Sequence, residues 1–172
     1  MPMHVIVGVT GAEGLDDETI RLLKVPLADG TRRPVIQTLW DLMGDLEAKD
    51  RKATGGKTTR FQLTELSFKR LVAAGVTEVF GSGAYTFGHG VQAFQFGQYV
   101  KWGMSPANAL RMATSSAAES LNFDLGKQVG SVEKGKFADI VAVSADPLVD
   151  ITEMERIKFV MKGGVIFKNE LK

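Results

Sequence analysis

The chain has 172 residues, of which 44% are hydrophobic and 24% charged, a composition typical of a globular protein with a real core. Its net charge of +1 predicts neither a nucleic-acid partner nor a membrane-surface partner, and no apolar run reaches the roughly 18 residues of a membrane span. The absence of cysteine excludes disulfides, thiolate catalysis and cysteine-ligated metals, and fits our prediction of a cytoplasmic protein.

The first half of the chain alternates strand and helix patterns. The run "HVIVGV" from His4 to Val9 is typical of a strand buried on both faces of a parallel sheet, and "VIQTL" from Val35 is a second such run. The segment "RFQLTELSFKRLVAAG" predicts an amphipathic helix that ends with Gly75 in the C′ position. The next strand is predicted in "TEVFGSG", and a glycine-rich loop follows it up to Gly90.

The second half begins with helices and ends with strands. One helix is predicted in "VQAFQFGQYVKWG", stopping at Gly103. A second, continuous helix is predicted in "SPANALRMATSSAAESL", with Ser105 as N-cap and Pro106 in the first helical position. Beyond Gly126 the pattern predicts strands around tight turns, with Gly163-Gly164 as a two-residue hairpin turn. We therefore predict a β/α domain over residues 1–125 and a β-rich segment over residues 126–172.

Two short motifs suggest catalytic sites, but their context argues against both. "GGKTT" lacks the glycine and the buried strand that a phosphate-binding loop requires, so a solvated turn is favoured. "SVEK", Ser131 to Lys134, matches a serine acyltransferase pattern that requires a helix, whereas this segment predicts a turn. The two histidines, His4 and His89, are expected at opposite ends of the sheet, roughly 20 Å apart, too far to share one ion.

The tail "GSVEKGKFADIVAVSADPLVDITEMERIKFVMKGGVIFK" resembles the C-terminal signature of the amidohydrolase superfamily, in its imidazolonepropionase-like and Xaa-Pro-dipeptidase-like branch. "GMSPANALRMATSSAAESLNF" resembles a helix of that branch, and "SFKRLVAAGVTEVFGSGA" resembles its last barrel helix and strand. The resemblance implies a (β/α)₈ barrel with an added β-sandwich. Because such barrels need about 250 residues, we expect the chain to match only the C-terminal portion. The fold class is then α/β: a partial barrel or an open parallel sheet with helices, plus a small C-terminal β-rich appendage.

The same resemblance implies that metal ligands are lost. Gly83 stands where the family's metal-binding aspartate is expected, and Thr10 stands at a histidine position. We therefore expect no metal and no other cofactor in the isolated chain.

Two functions remain open. The first is hydrolysis of an amide or ester bond of a small molecule, with His89, Ser82 and Tyr85 as catalytic residues and Phe87 and Thr10 as substrate-binding residues. The second is a non-catalytic remnant, or a half of a split enzyme that binds a ligand or a partner chain. In both cases we expect a homo-oligomer, because an incomplete barrel leaves sheet edges exposed.

Overall fold

A computed structural model of the chain describes residues 35–37, 60–81, 90–121 and 124–171. The chain divides into two units, Met1–Phe87 and Gly88–Lys172. Helices and strands occur in both halves of the described sequence, so the mixed helix-and-strand content of the predicted α/β class is confirmed. The barrel, and the domain boundary at residue 125, stay predictions. No helix within the described ranges is long and apolar enough to cross a membrane.

The first unit contains a strand–helix–strand arrangement. Strand β1 (Val35–Gln37) pairs in parallel with strand β2 (Glu78–Phe80), and helix α1 (Arg60–Ala74) lies between them in sequence. The register sets Ile36 opposite Val79. Both strands lie inside segments that the sequence predicted to be strands of a parallel sheet, so the two strands and their parallel pairing are confirmed. The first predicted strand, His4–Val9, lies outside the described residues.

Helix α1 ends as its sequence predicts. Gly75 has φ +68°, and its N–H donates to the carbonyl of Val72 at 3.1 Å, while the N–H of Val76 donates to the carbonyl of Leu71 at 3.1 Å. This pair of bonds is a Schellman motif, which glycine favours because it has no Cβ to clash in the left-handed conformation. On the same helix, Phe68 and Leu71 are three residues apart and fully buried, so they define its inward face.

The second unit begins with a series of short helices. After a 3₁₀ turn at Val91–Ala93 come α2 (Phe94–Lys101) and α3 (Pro106–Ala113). Helix α2 closes with Gly103 at φ +105°, and the Ser105 hydroxyl caps α3 by accepting from the Asn108 N–H at 3.2 Å. Both ends were predicted from the sequence. The core of this unit includes Phe96, Tyr99, Trp102, Met104, Ala109, Met112, Ala118 and Ile151.

The helix that starts at Ser105 does not continue through "SSAAESL" as one element. It breaks at Thr114, which has φ −126° and ψ −95°, and α4 (Ser115–Ser120) follows. The Thr114 hydroxyl donates to the carbonyl of Leu110 at 2.8 Å, and the backbone N–H of Thr114 donates to the carbonyl of Arg111 at 3.0 Å. A threonine that bonds back to its own helix competes with the regular ladder, which favours ending the helix there. A further short helix, α5 (Asp124–Gln128), was not predicted.

A three-stranded antiparallel sheet completes the second unit. Its order is β3 (Ile140–Ala142), β4 (Phe159–Lys162) and β5 (Val165–Asn169), and a 3₁₀ helix at Ile151–Glu155 connects β3 to β4. The predicted Gly163-Gly164 hairpin is confirmed: both glycines have positive φ, +57° and +81°. The residues from Gly130 to Asp139, predicted to begin a strand, instead form turns and irregular chain.

Candidate functional site

The predicted site follows strand β2 along the chain. Glu78 and Val79 of this strand are buried, and the strand ends at Phe80, in register with Gln37 of β1. Loops that leave the carboxyl ends of parallel strands are where α/β proteins place catalytic groups. The predicted residues Ser82, Tyr85, Phe87 and His89, together with Thr10, lie outside the described residues.

The chain that follows the loop begins with a constrained turn. Gly90 has φ +101° and ψ −18°, and its N–H donates to the Gln92 side-chain carbonyl at 2.8 Å. A Cβ at Gly90 would meet no atom within 4 Å, so backbone conformation, rather than space, requires glycine here. Five residues after Gly90, Gln95 is fully buried, and its side-chain amide donates to the Tyr99 hydroxyl at 2.7 Å. This hydrogen bond fixes the first turn of α2, the helix that follows His89 in sequence.

The cluster around Ser131 is a turn, as the sequence indicates, and not a catalytic helix. The Ser131 hydroxyl accepts a hydrogen bond from Lys136, not from Lys134, and Lys136 Nζ lies 3.5 Å from Glu133 Oε1. A hydrogen bond from Ser131, together with the positive charge of Lys136, holds the pKa of Glu133 below its ordinary value. The cluster is therefore an ion-paired turn, and it gives no support to an acyl-transfer site.

The described residues do not offer a metal centre. Over residues 60–81, 90–121 and 124–171, no three histidine, aspartate or glutamate side chains gather in a way that could hold an ion, and the sequence contains no cysteine. Gly83 and Thr10, where the resemblance places lost ligands, lie outside the described ranges.

The structure also reveals a buried carboxylate that the sequence analysis did not single out. Glu78 is only 5% exposed, although it stands in the apolar strand β2. A charged residue inside "TEVF" was the available signal, because such residues are rarely buried. Glu78 is the first residue of β2 and therefore lies at the opposite end from the loop that carries the predicted site. This position favours a structural role.

Residues 71–167 match the model of the amidohydrolase family, and this match covers more than half of the chain. The chain belongs to the amidohydrolase family. The resemblance drawn from the tail motif is thereby confirmed.

Three relatives illustrate the similarity. Ochratoxinase of Aspergillus niger is 30% identical over 105 residues, which cover 59% of this chain and 22% of that protein. The crystal structure of a Xaa-Pro dipeptidase with bound methionine in its active site is 26% identical, with a TM-score of 0.72, over 90% of this chain and 38% of that one. The crystal structure of a prolidase complexed with n-methylphosphonate-l-proline is 27% identical, with a TM-score of 0.65, over 90% of this chain and 38% of that one. The chain thus spans less than half the length of each relative.

Proposed function

We propose that this protein takes part in the hydrolysis of an amide or ester bond in a small molecule. The observation that carries the proposal is the family match over residues 71–167, together with relatives that are named as a dipeptidase, a prolidase and an ochratoxinase. Fold alone does not determine chemistry, so the proposal must also name residues that can perform it.

Histidine is the side chain best suited to accept and return a proton near neutral pH. We assign His89 as the general base that takes a proton from water as the water oxygen attacks the carbonyl carbon. His89 then returns the proton to the departing amine or alcohol. Ser82 and Tyr85 carry hydroxyl groups that can donate hydrogen bonds to the oxygen on which negative charge develops. Phe87 and Thr10 are assigned to substrate contact.

Metal chemistry is not part of this assignment. The described residues supply no ligand set, and the family resemblance implies that Gly83 and Thr10 stand at metal-ligand positions. In the family such an ion would polarise the scissile carbonyl and activate water. No step proposed for this chain depends on it.

The experiment compares the chain's only two histidines. Purified full-length protein is assayed with Xaa-Pro dipeptides and with p-nitrophenyl acetate, with and without a chelator. We expect His89→Ala to reduce turnover by about 10²–10⁴-fold, the usual contribution of a general base, and chelator to leave turnover unchanged. His4→Ala is the matched control and should retain activity.

Equal effects of the two histidine substitutions would overturn the assignment of His89. Turnover that is lost on chelation would overturn the metal-free chemistry. Calorimetric binding of a dipeptide without any turnover would instead support the alternative, a non-catalytic ligand-binding protein.

A further inference from the structure

Strand β5 leaves an apolar edge exposed. Among the described residues it is the last strand of its sheet, with β4 on its other side. Val165, Ile166 and Phe167 are 60%, 53% and 71% exposed, and Leu171 just beyond the strand is 46% exposed. Natural proteins usually protect edge strands because open backbone groups beside apolar side chains pair readily with another chain.

The hydrogen bonds to β4 show which backbone groups face this edge. Glu170 donates its N–H to the carbonyl of Lys158 at 2.8 Å, and Asn169 stands opposite Phe159 in the register. Backbone groups of successive residues point to opposite sides of an antiparallel strand. Asn169 therefore directs its own N–H and C=O away from β4, towards the open edge.

Charge then selects one way of pairing this edge with a copy of itself. Phe167 is the extra residue of a bulge in β5, so the regular part of the edge begins at Lys168. In an antiparallel pair centred on Asn169, Lys168 of each copy stands opposite Glu170 of the other. A pair centred on Phe167 sets Lys168 opposite Ile166 instead. A pair centred on Lys168 sets the two Lys168 side chains, which carry like charges, opposite each other. In that register the backbone N–H and C=O of Asn169 do not face those of Asn169 in the other copy. Opposite charges directly across two strands stabilise the pair, and like charges destabilise it.

We propose that β5 pairs antiparallel with β5 of a second copy of this chain, about a two-fold axis at Asn169, and joins the two sheets into one of six strands. A two-fold interface is self-complementary, as this register is. The net charge of +1 opposes association only weakly. Because a strand edge is a small interface, the dimer is weak and depends on concentration. This proposal gives the predicted homo-oligomer a specific surface and does not depend on the hydrolase function.

Cysteine substitution tests the register directly, because the native chain has no cysteine. At a hydrogen-bonded antiparallel position the two Cα atoms are about 5.5 Å apart, within the range that a disulfide spans. Under mild oxidation Asn169→Cys should form a disulfide-linked dimer. A mixture of Lys168→Cys and Glu170→Cys should cross-link more than either variant alone. Val149→Cys, at a residue that is 85% exposed elsewhere in the same unit, is the matched control.

Charge exchange tests the same contact in solution by sedimentation at several concentrations. Lys168→Glu or Glu170→Lys should weaken the dimer by about tenfold, and the double exchange should restore it. Lys127→Glu, on α5 and 83% exposed, makes the same charge change away from the edge and should have no effect. Thermal unfolding confirms that each variant is folded. Cross-linking of Asn169→Cys no faster than Val149→Cys, or a double exchange that fails to restore the dimer, would overturn the proposal.

Discussion

Gly130 lies where a side chain has neither the space nor the backbone conformation it needs. Its φ is +87°, and a Cβ built on it would lie 2.5 Å from the Cβ of Ala118, 3.1 Å from the carbonyl oxygen of Thr114 and 3.3 Å from the Cα of Ser115. These atoms belong to α4 and to the helix break just before it. Gly130→Ala therefore forces either the turn or α4 to move.

Gly135 provides the matched comparison. It has a similar φ of +92°, but a Cβ there would meet nothing within 4 Å. Both substitutions incur the left-handed backbone penalty of about 1–2 kcal/mol, and only Gly130→Ala adds the overpacking penalty of about 1–3 kcal/mol. We expect Gly130→Ala to lower the free energy of unfolding by about 2–4 kcal/mol, a large share of the 5–15 kcal/mol typical of a domain. Gly135→Ala should lower it by about 1 kcal/mol, since reduced freedom of the unfolded chain offsets part of the penalty.

Urea unfolding followed by tryptophan fluorescence measures this difference. The chain has two tryptophans, and a Trp40→Phe background leaves Trp102, which is only 4% exposed and belongs to the same unit as both glycines. The urea concentration at the midpoint of unfolding should fall further for Gly130→Ala than for Gly135→Ala. The slope of the unfolding free energy against urea concentration should stay unchanged. If the two variants lose equal stability within about 0.5 kcal/mol, the close approach of Gly130 to α4 is not a determinant of stability, and the reasoning fails.

Two further predictions concern the C-terminal part of the second unit. Asp139 accepts a hydrogen bond from the N–H of Gly163 at 2.7 Å, so Asp139→Ala should lower the free energy of unfolding by about 1 kcal/mol. Asp139→Asn keeps an acceptor and should lower it by less. Urea unfolding of both variants measures the two changes. The hydroxyl and N–H of Thr152, together with the charge of Arg156, hold the pKa of Asp150 below its ordinary value. The stabilisation by this carboxylate is therefore complete above its unfolded pKa of about 3.9 and disappears as the pH falls through the lower folded value. The difference in melting temperature between wild type and Asp150→Asn should shrink between pH 5 and pH 2, and a difference that stays constant would contradict the assignment.

Local sequence determined the ends of several elements. Pro106 after Ser105 starts a helix, and Gly75 and Gly103 end helices in Schellman motifs. Gly163-Gly164 makes a hairpin turn. Each of these features depends on backbone sterics and on hydrogen bonds between residues a few positions apart, so composition and spacing suffice to predict it. The tail motif identified the family for the same reason, because its signature is continuous in sequence.

The sequence also placed the candidate site at the carboxyl end of a parallel strand, since the apolar run of β2 and the glycines after it are local signals. Which side chains converge there depends on neighbouring strands that are distant in sequence. That information is not contained in the loop itself, so Ser82, Tyr85 and His89 remain predictions to be tested by substitution.

Only the tertiary structure decided the contacts between distant segments. The sequence predicted one continuous helix from Pro106 to Leu121, but the helix breaks at Thr114, beside the close approach of Gly130. Asp139 binds the hairpin 24 residues further along the chain. Periodicity records which face of an element is apolar, not which remote backbone approaches it. The close packing of those remote segments therefore explains why Gly130 must be glycine.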